Sequence, residues 1–341
     1  MSTLASAAAA LIQVQRPSPP RISCVVPAFN EAASLPALLT ALTAQLQAMG
    51  CPWEVIVVSD GSRDDTPMAV APWLIDQPVR LIELSRNFGK EIALSAGLDV
   101  ATGDVVVLMD ADLQHPVEFL PVMLQHWREG ADMVYGLQNN RERETLIKRW
   151  GTFVFYRLLN RVSRFQIPPD AGDFRLLDRQ AVEALKSMPE RARFSKGLYA
   201  WIGFKSIGVP FEVSDRITGS SKFGFSRLLS FALDGIASFS TVPLRVWTYI
   251  GALVSGFALL MAASVIISTL LYGIDVPGYA TIVVSITFFA GIQLLSLGII
   301  GEYIGRIFAE VKGRPLYLVG QRIGFGEDND KPRSSRSASH S

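Results

Sequence analysis

The chain has 341 residues, 49% of them hydrophobic, and a formal net charge of +1. So small a charge excludes a global field for nucleic acid, and two cysteines fit neither a metal spacing nor a disulfide framework, so Cys24 and Cys51 are expected to be reduced, cytosolic thiols. The length holds one sizeable domain and something more; the apolar residues concentrate between Val246 and Ile307, whereas roughly the first 240 residues have the mixed composition of a soluble domain.

In chain order, Ala7 to Ile12 is a small apolar run with no basic residue before it, a poor secretory signal. A disordered lead over residues 1–20, ending at Pro17-Ser18-Pro19-Pro20, is expected instead. Arg21 to Pro27 reads as a first strand, and Asn30-Glu31 followed by Leu35, Leu38, Leu39 and Leu42 as a helix with an apolar stripe. Val55 to Ser59 makes a second strand, ending at Asp60-Gly61-Ser62, with a helix from about Asp65. Val79 to Leu84 is the third strand, and Ser85-Arg86-Asn87-Phe88-Gly89-Lys90 turns the chain into a helix reaching Ala101. Val105 to Met109 is the fourth. Strands alternating with helical patterns predict parallel βαβ units, a Rossmann-like half-sheet.

The fourth strand stops at Asp110-Ala111-Asp112-Leu113-Gln114-His115-Pro116. In an open parallel sheet, ligands collect beyond the carboxyl ends of the strands, so Asp110 and Asp112 fall at a ligand crevice. Two carboxylates two residues apart can share one hard divalent cation, and Gln114 adds a third oxygen. Taken alone, the plainer reading is a solvated strand end before a helix starting at Pro116. Polar residues recur at the other strand ends. Asp60 suits hydrogen bonding to a base or ribose, and Lys90 with backbone N–H groups at a helix start suits a diphosphate; singly, each also reads as an ordinary turn or solvated helix residue. No G-x-G-x-x-G is present, which argues against an ordinary dinucleotide site.

Farther on, Asp170 and Asp173 lie in a Pro-Pro-Asp-Ala-Gly-Asp turn read as preceding a helix, where capping and catalysis stand level as explanations. Phe204 to Ser214 reads as a strand leading into Asp215-Arg216-Ile217-Thr218-Gly219-Ser220-Ser221-Lys222-Phe223. That loop offers backbone donors, hydroxyls such as Ser221 and two cations, Arg216 and Lys222, to a phosphate, or is simply a flexible basic loop. Residues 225–245 contain an apolar stretch, Phe225 to Phe239, suited to a bilayer interface. Residues 246–272 and 280–308 are each long enough to cross a hydrocarbon core of about 30 Å. Arg227 and Arg245 precede the first, and Arg306, Lys312 and Arg314 follow the second, whereas the intervening turn carries only Asp275; both termini are expected to be cytoplasmic. Gly251, Ser255, Ala258 and Ala262, then Gly291, Gly298 and Gly305, form small-residue stripes that favour close helix packing and a homo-oligomer. Residues 309–341 read as a cytoplasmic tail, disordered from about 326.

Three stretches carry a resemblance: Val25-Val26-Pro27-Ala28-Phe29-Asn30-Glu31, Val57-Val58-Ser59-Asp60-Gly61-Ser62-Arg63-Asp64 and Asp110 to Pro116. In order and spacing they resemble the inverting family 2 glycosyltransferases of GT-A fold. Ser85-Arg86-Asn87-Phe88-Gly89-Lys90-Glu91 and Gly172-Asp173-Phe174-Arg175-Leu176 are similar to the polyprenyl-phosphate sugar synthases, the group of bactoprenol glucosyl transferases and dolichol-phosphate mannose synthase. The resemblance implies a GT-A domain over residues 21–224, interfacial helices and a two-helix transmembrane hairpin. It implies that Pro27, Phe29, Asn30, Glu31, Asp60, Gly61, Ser62, Lys90, Asp110 and Ala111 hold a nucleotide-diphosphate sugar, that Asp110, Asp112 and Gln114 hold Mg2+ or Mn2+, and that Asp173, or in second place Asp170, is the catalytic base. Arg216, Ser221, Lys222 and Arg141 would take the phosphate of a polyprenyl acceptor. By similarity the donor is UDP-glucose and the lipid undecaprenyl phosphate. One departure stands out: where the family often has Gly-x-Arg-x-x-Arg, Gln138 replaces the first arginine and Arg141 is retained. Two other functions compete. A processive polysaccharide synthase would need a Gln-x-x-Arg-Trp motif, and here Lys148-Arg149-Trp150 lacks the glutamine; a nucleotide-sugar sensor would bind without turnover.

Overall fold

The computed structural model describes residues 16–138, 171–188, 190–191, 193, 195–211, 242–272 and 278–326. The first strand, β1 (Ile22–Ala28), is buried at all seven positions, as a central strand covered on both faces must be. It is followed by α1 (Leu35–Ala48), whose Leu35, Leu38, Leu39, Leu42 and Leu46 form one buried stripe at helical spacing. Next come β2 (Trp53–Ser59), the short α2 (Thr66–Val70), β3 (Val79–Leu84), α3 (Lys90–Val100) and β4 (Val105–Leu108). These boundaries agree closely with the expected half-sheet, because each strand is a short apolar run closed by turn residues. β1 pairs in parallel with β2 and β4, and β2 with β3.

The rest makes the sheet mixed. After α4 (Leu120–Arg128), β5 (Met133–Gln138) and β6 (Ala171–Asp178) pair antiparallel with each other, and β6 also runs antiparallel to β4. Two short helices, α5 (Arg179–Lys186) and α6 (Ser195–Trp201), precede β7 (Ser206–Phe211), which lies parallel to β5. Two long helices follow, α7 (Val242–Tyr272) and α8 (Tyr279–Val311), and a last strand, β8 (Val319–Ile323), pairs antiparallel with β3. The sheet order is β7-β5-β6-β4-β1-β2-β3-β8. This is the α/β, Rossmann-like mixed sheet expected of a GT-A fold.

Two expectations need correction. Asp173 is not in a turn before a helix: it is the third residue of β6, and Asp178, at the far end of that strand, caps α5 by accepting from the Gln180 N–H at 2.8 Å. The proline pair and Gly172 suggested a turn, but Phe174, Leu176 and Leu177 are buried and commit the segment to the sheet. The domain boundary at residue 224 also leaves out β8, which the sheet takes in. Its sequence, Val-Gly-Gln-Arg-Ile, suits an edge strand too short and polar to read as one. Around it the Ser85 N–H donates to the Leu318 carbonyl at 2.9 Å, and the Tyr317 hydroxyl donates to Asp99 at 2.7 Å.

The chain divides into two compact units, one built on the sheet and one holding α7 and α8. Within α8, Phe288–Val311 is the one stretch among the described residues that is long and apolar enough to cross a membrane by length and composition. Both helices leave large apolar side chains exposed, Leu253, Leu260 and Leu270 on α7, Ile286, Leu294 and Ile307 on α8. Gly251, Gly291, Gly298 and Gly305 face open space. The expected interfacial segment, residues 225–239, lies outside the described residues. Cys24 and Cys51 are buried free thiols.

At the opposite edge of the sheet from the strands' carboxyl ends, Glu54 is fully buried in β2. It accepts from the Ser23 hydroxyl at 2.6 Å and from both the N–H and hydroxyl of Thr102 at 2.8 Å, and pairs with Arg80 at 2.8 Å. Burial alone would raise its pKa, but these donors outweigh it and hold the carboxyl below the ordinary glutamate value. The folded state therefore binds this proton less readily than the unfolded chain. The stabilisation is full above about pH 4.3 and is lost as the pH falls through the lower folded value. Glu54→Gln is expected to destabilise the domain by about 2–4 kcal/mol at neutral pH, and to flatten the acid limb of its thermal stability; an unchanged melting profile against pH would contradict this role.

Candidate functional site

Because β1 to β4 run parallel, their carboxyl ends share one edge of the sheet. Antiparallel β6 brings its beginning to that same edge. Leu108 is paired with Arg175, so continuing the register two residues sets Asp173 level with Asp110. Here a cleft of about 330 Å³ opens, lined by Pro27, Ala28, Phe29, Glu31, Asp60, Asn87, Gly89, Lys90, Ala93, Asp110, Ala111 and Asp112. Its volume falls within the range of small-ligand sites.

One wall is held by polar groups that bind backbone. Asp60 is 3% exposed and accepts from the N–H groups of Phe88 and Gly89 at 2.7 and 2.8 Å. Burial pushes its pKa up, offset in part by those amides and by Arg86. Asn30 takes the left-handed conformation, φ 58°, and its side chain accepts from the Arg63 N–H at 2.8 Å, while its own N–H donates to the Ser62 hydroxyl at 3.1 Å. These contacts lock the ends of β1 and β2 together. Of the residues expected to bind the nucleotide, Pro27, Phe29, Glu31, Asp60, Lys90, Asp110 and Ala111 line the cleft; Asn30, Gly61 and Ser62 do not and instead build the turn beneath it. Gly61 has φ 63°, and a Cβ there would come within 2.3 Å of the Arg86 carbonyl carbon. Gly61→Ala is therefore expected to introduce about 1–3 kcal/mol of strain and to displace the loop over residues 85–89. A lower melting temperature would bear this out; a parent-like one would refute it.

The other wall is ionic. The Lys90 ammonium lies 2.6 Å from Asp110 and 2.7 Å from Asp173. Burial alone would favour the neutral amine, but the two carboxylates outweigh it and keep Lys90 charged. The same contacts hold Asp173 below the usual carboxylate range, against the opposing effect of burial, with help from Lys196. Beside this triad, Glu91 accepts from the Ser195 hydroxyl and is pushed up to about 6, chiefly by burial. Asp112 accepts from the Gln114 N–H at 3.2 Å, and the Gln114 side chain is not among the lining groups.

Residues 23–186 match glycosyl transferase family 2. An uncharacterized glycosyltransferase of Synechocystis is 46% identical over 305 residues, 89% of this chain and 96% of that protein. The SfII prophage-derived bactoprenol glucosyl transferase of Shigella flexneri is 42% identical over 300 residues, 88% of this chain and 97% of that protein. The chain belongs to glycosyl transferase family 2. Among solved structures, the mannosyltransferase PcManGT of Pyrobaculum calidifontis in complex with GDP-Man and Mn2+ is 21% identical, with 86% of each chain covered and a TM-score of 0.47; a likeness this weak bears on neither donor nor metal.

For a family 2 glycosyltransferase the question is whether these residues can hold a divalent cation. Asp110 and Asp112 supply hard oxygen donors, and the ammonium against Asp110 marks that carboxylate as a cation acceptor. Among the described residues no group of three or more His, Cys, Asp or Glu gathers as a complete metal site. Two carboxylates do not complete a metal site by themselves; an ion held there would take its remaining oxygens from outside the protein, as Mg2+ does at phosphate sites.

Two residues of this glycosyltransferase escaped the sequence reading. Arg175 is 4% exposed, with its guanidinium 4.3 Å from the Tyr199 ring and 5.1 Å from that of Tyr135, and its Nε donates to the Gly172 carbonyl at 3.2 Å. Its signal was a charge inside the apolar run Phe174 to Leu177. His115 is the second, its imidazole buried behind Asp110, where burial lowers its pKa. Asp170, Arg141, Arg216, Ser221 and Lys222 all lie outside the described residues.

Proposed function

We propose that this glycosyltransferase moves one sugar from a nucleotide-diphosphate sugar, UDP-glucose in the first place, to the phosphate of a polyprenyl lipid, undecaprenyl phosphate, at the cytoplasmic membrane face. The observation that carries the reading is the meeting of Asp110, Lys90 and Asp173 at one mouth of a cleft whose opposite wall carries Asp60. The lipid acceptor is drawn from the 42% identity to a bactoprenol glucosyl transferase, nearly end to end.

In this reading Pro27, Phe29 and Asp60 receive the nucleoside, and Lys90 turns from the carboxylates to the diphosphate. A divalent cation, Mg2+ or Mn2+, held by Asp110 and Asp112, supplies when bound the positive charge that stabilises the departing diphosphate. An oxygen of the lipid phosphate forms a bond to the anomeric carbon as the bond from that carbon to the diphosphate oxygen breaks. The electron pair leaves with the nucleoside diphosphate, and the single displacement inverts the anomeric centre. Because the attacking phosphate is already at least singly ionised, Asp173 has little proton to remove; its carboxylate orients the nucleophile by accepting from a remaining P–OH. Arg141, Arg216, Ser221 and Lys222 are proposed to hold the lipid phosphate. α7 and α8 together form a two-span anchor with both ends cytoplasmic, following the distribution of arginine and lysine around them. A homo-oligomer belongs to the same reading.

The test is transfer of labelled sugar from a panel of UDP- and GDP-sugars to undecaprenyl phosphate by the purified full-length protein in detergent, with and without Mg2+ or Mn2+. One sugar per lipid, from UDP-glucose and only with metal, is expected. Sugar chains would point to a polymerase, and nucleotide binding without transfer from any donor would replace the reading with a sensor.

A further inference from the structure

His115 has no part in the chemistry above, yet it touches both halves of the ionic wall. Its Nδ1 accepts from the Asp110 N–H at 3.0 Å. A ring accepting at Nδ1 carries its proton on Nε2, so the imidazole is neutral. The same ring lies flat on Phe174, with centroids 4.8 Å apart and planes 8° from parallel. Phe174 adjoins Asp173 in β6, and with Phe119 and Phe211 it closes an aromatic cluster around the imidazole. The turn between Asp110 and His115 has Leu113 in the left-handed conformation, φ 62°, which few leucines adopt. One side chain thus fixes the direction of the backbone at Asp110 and the lateral position of the strand that carries Asp173.

We propose that His115 is a positioning residue for the cation site: by accepting from the Asp110 amide and stacking on Phe174 it fixes Asp110, which with Asp112 would hold the cation, against the strand that carries Asp173. The inference rests on the reading of the cleft as a metal and diphosphate site. A histidine that merely filled the core would be replaced without functional loss by phenylalanine, which keeps the stack and lacks only the acceptor. Asparagine does the reverse, since its amide oxygen stands where Nδ1 stands but its side chain cannot stack.

The experiment measures Mn2+ binding in the presence of UDP by electron paramagnetic resonance, on full-length protein in detergent, beside thermal unfolding and the kcat and KM of transfer. His115→Phe is expected to fold and to bind Mn2+ about 10-fold more weakly, the usual size of such an outer-sphere loss, whereas His115→Asn recovers most of the affinity at a lower melting temperature. His115→Gln, whose amide reaches the Nε2 position rather than Nδ1, is a second variant without the acceptor and is expected to bind as weakly as His115→Phe, should the latter fail to fold. Parent-like Mn2+ affinity in a folded His115→Phe or His115→Gln overturns the inference, as does His115→Asn binding no better than they do. A parent protein that binds no Mn2+ with UDP overturns the reading of the site itself.

Discussion

Asp110→Asn is expected to lower sugar transfer by about 10²–10³-fold, the loss typical when one preorganised electrostatic partner of a developing charge is removed. The substitution keeps the size of the side chain and leaves the Asp110 N–H on His115. It removes the charge that meets Lys90 at 2.6 Å and that, in the proposed reaction, would hold the cation beside Asp112. Stability should barely change, because the Asp110 and Lys90 side chains are 27% and 39% exposed and an ion pair so placed contributes little to folding. The discriminating measurement is therefore turnover at saturating UDP-glucose against Mn2+ concentration, with a melting curve as control. A folded variant turning over at a rate close to the parent's would move the reacting centre away from the end of β4.

The parallel half of the fold was legible because burial on both faces leaves its signature in local sequence. β4 is an unbroken apolar run, β1 is broken only by the buried Ser23, and α1 shows its leucines at helical spacing. What lay hidden depends on contacts between distant segments. β6 carries Asp173 and Arg175 on alternate positions between apolar neighbours, a pattern that reads as a polar turn until β4 and β5 are beside it to cover Phe174 and Leu176. The same limit applies within the site. Asn30, Asp60 and Ser62 are alike in sequence, polar residues where strands finish, and all three bind the backbone or hydroxyls of neighbouring turns, but only Asp60 also lines the cleft. A polar side chain at a strand end can satisfy a ligand or an orphan amide equally well, and spacing alone does not say which. His115 was concealed for the same reason: its partner ring lies in β6, far along the chain.

Lys90→Met is expected to show what the ammonium does between two carboxylates. Methionine keeps the length and the apolar stem, so α3 should remain in place on β1 and β2. Asp110 and Asp173 would then face each other with no cation between them, and the carboxyl of Asp173, held low chiefly by Lys90 against the effect of burial, should titrate at higher pH. Two outcomes follow from that one change. The donor KM should rise by about 10-fold, as expected for a lost charge-assisted contact of about 1.5 kcal/mol to the diphosphate. The acid limb of kcat/KM, which reports the free enzyme, should also move upward in pH, since there Lys90 is the main group holding Asp173 ionised. A higher KM with an unmoved acid limb would make Lys90 a donor-binding residue alone and separate it from Asp173. If both shift, Lys90 is the group that keeps Asp173 charged before the donor arrives and then passes to the diphosphate, so that one side chain prepares the nucleophile's side of the site while waiting for the leaving group.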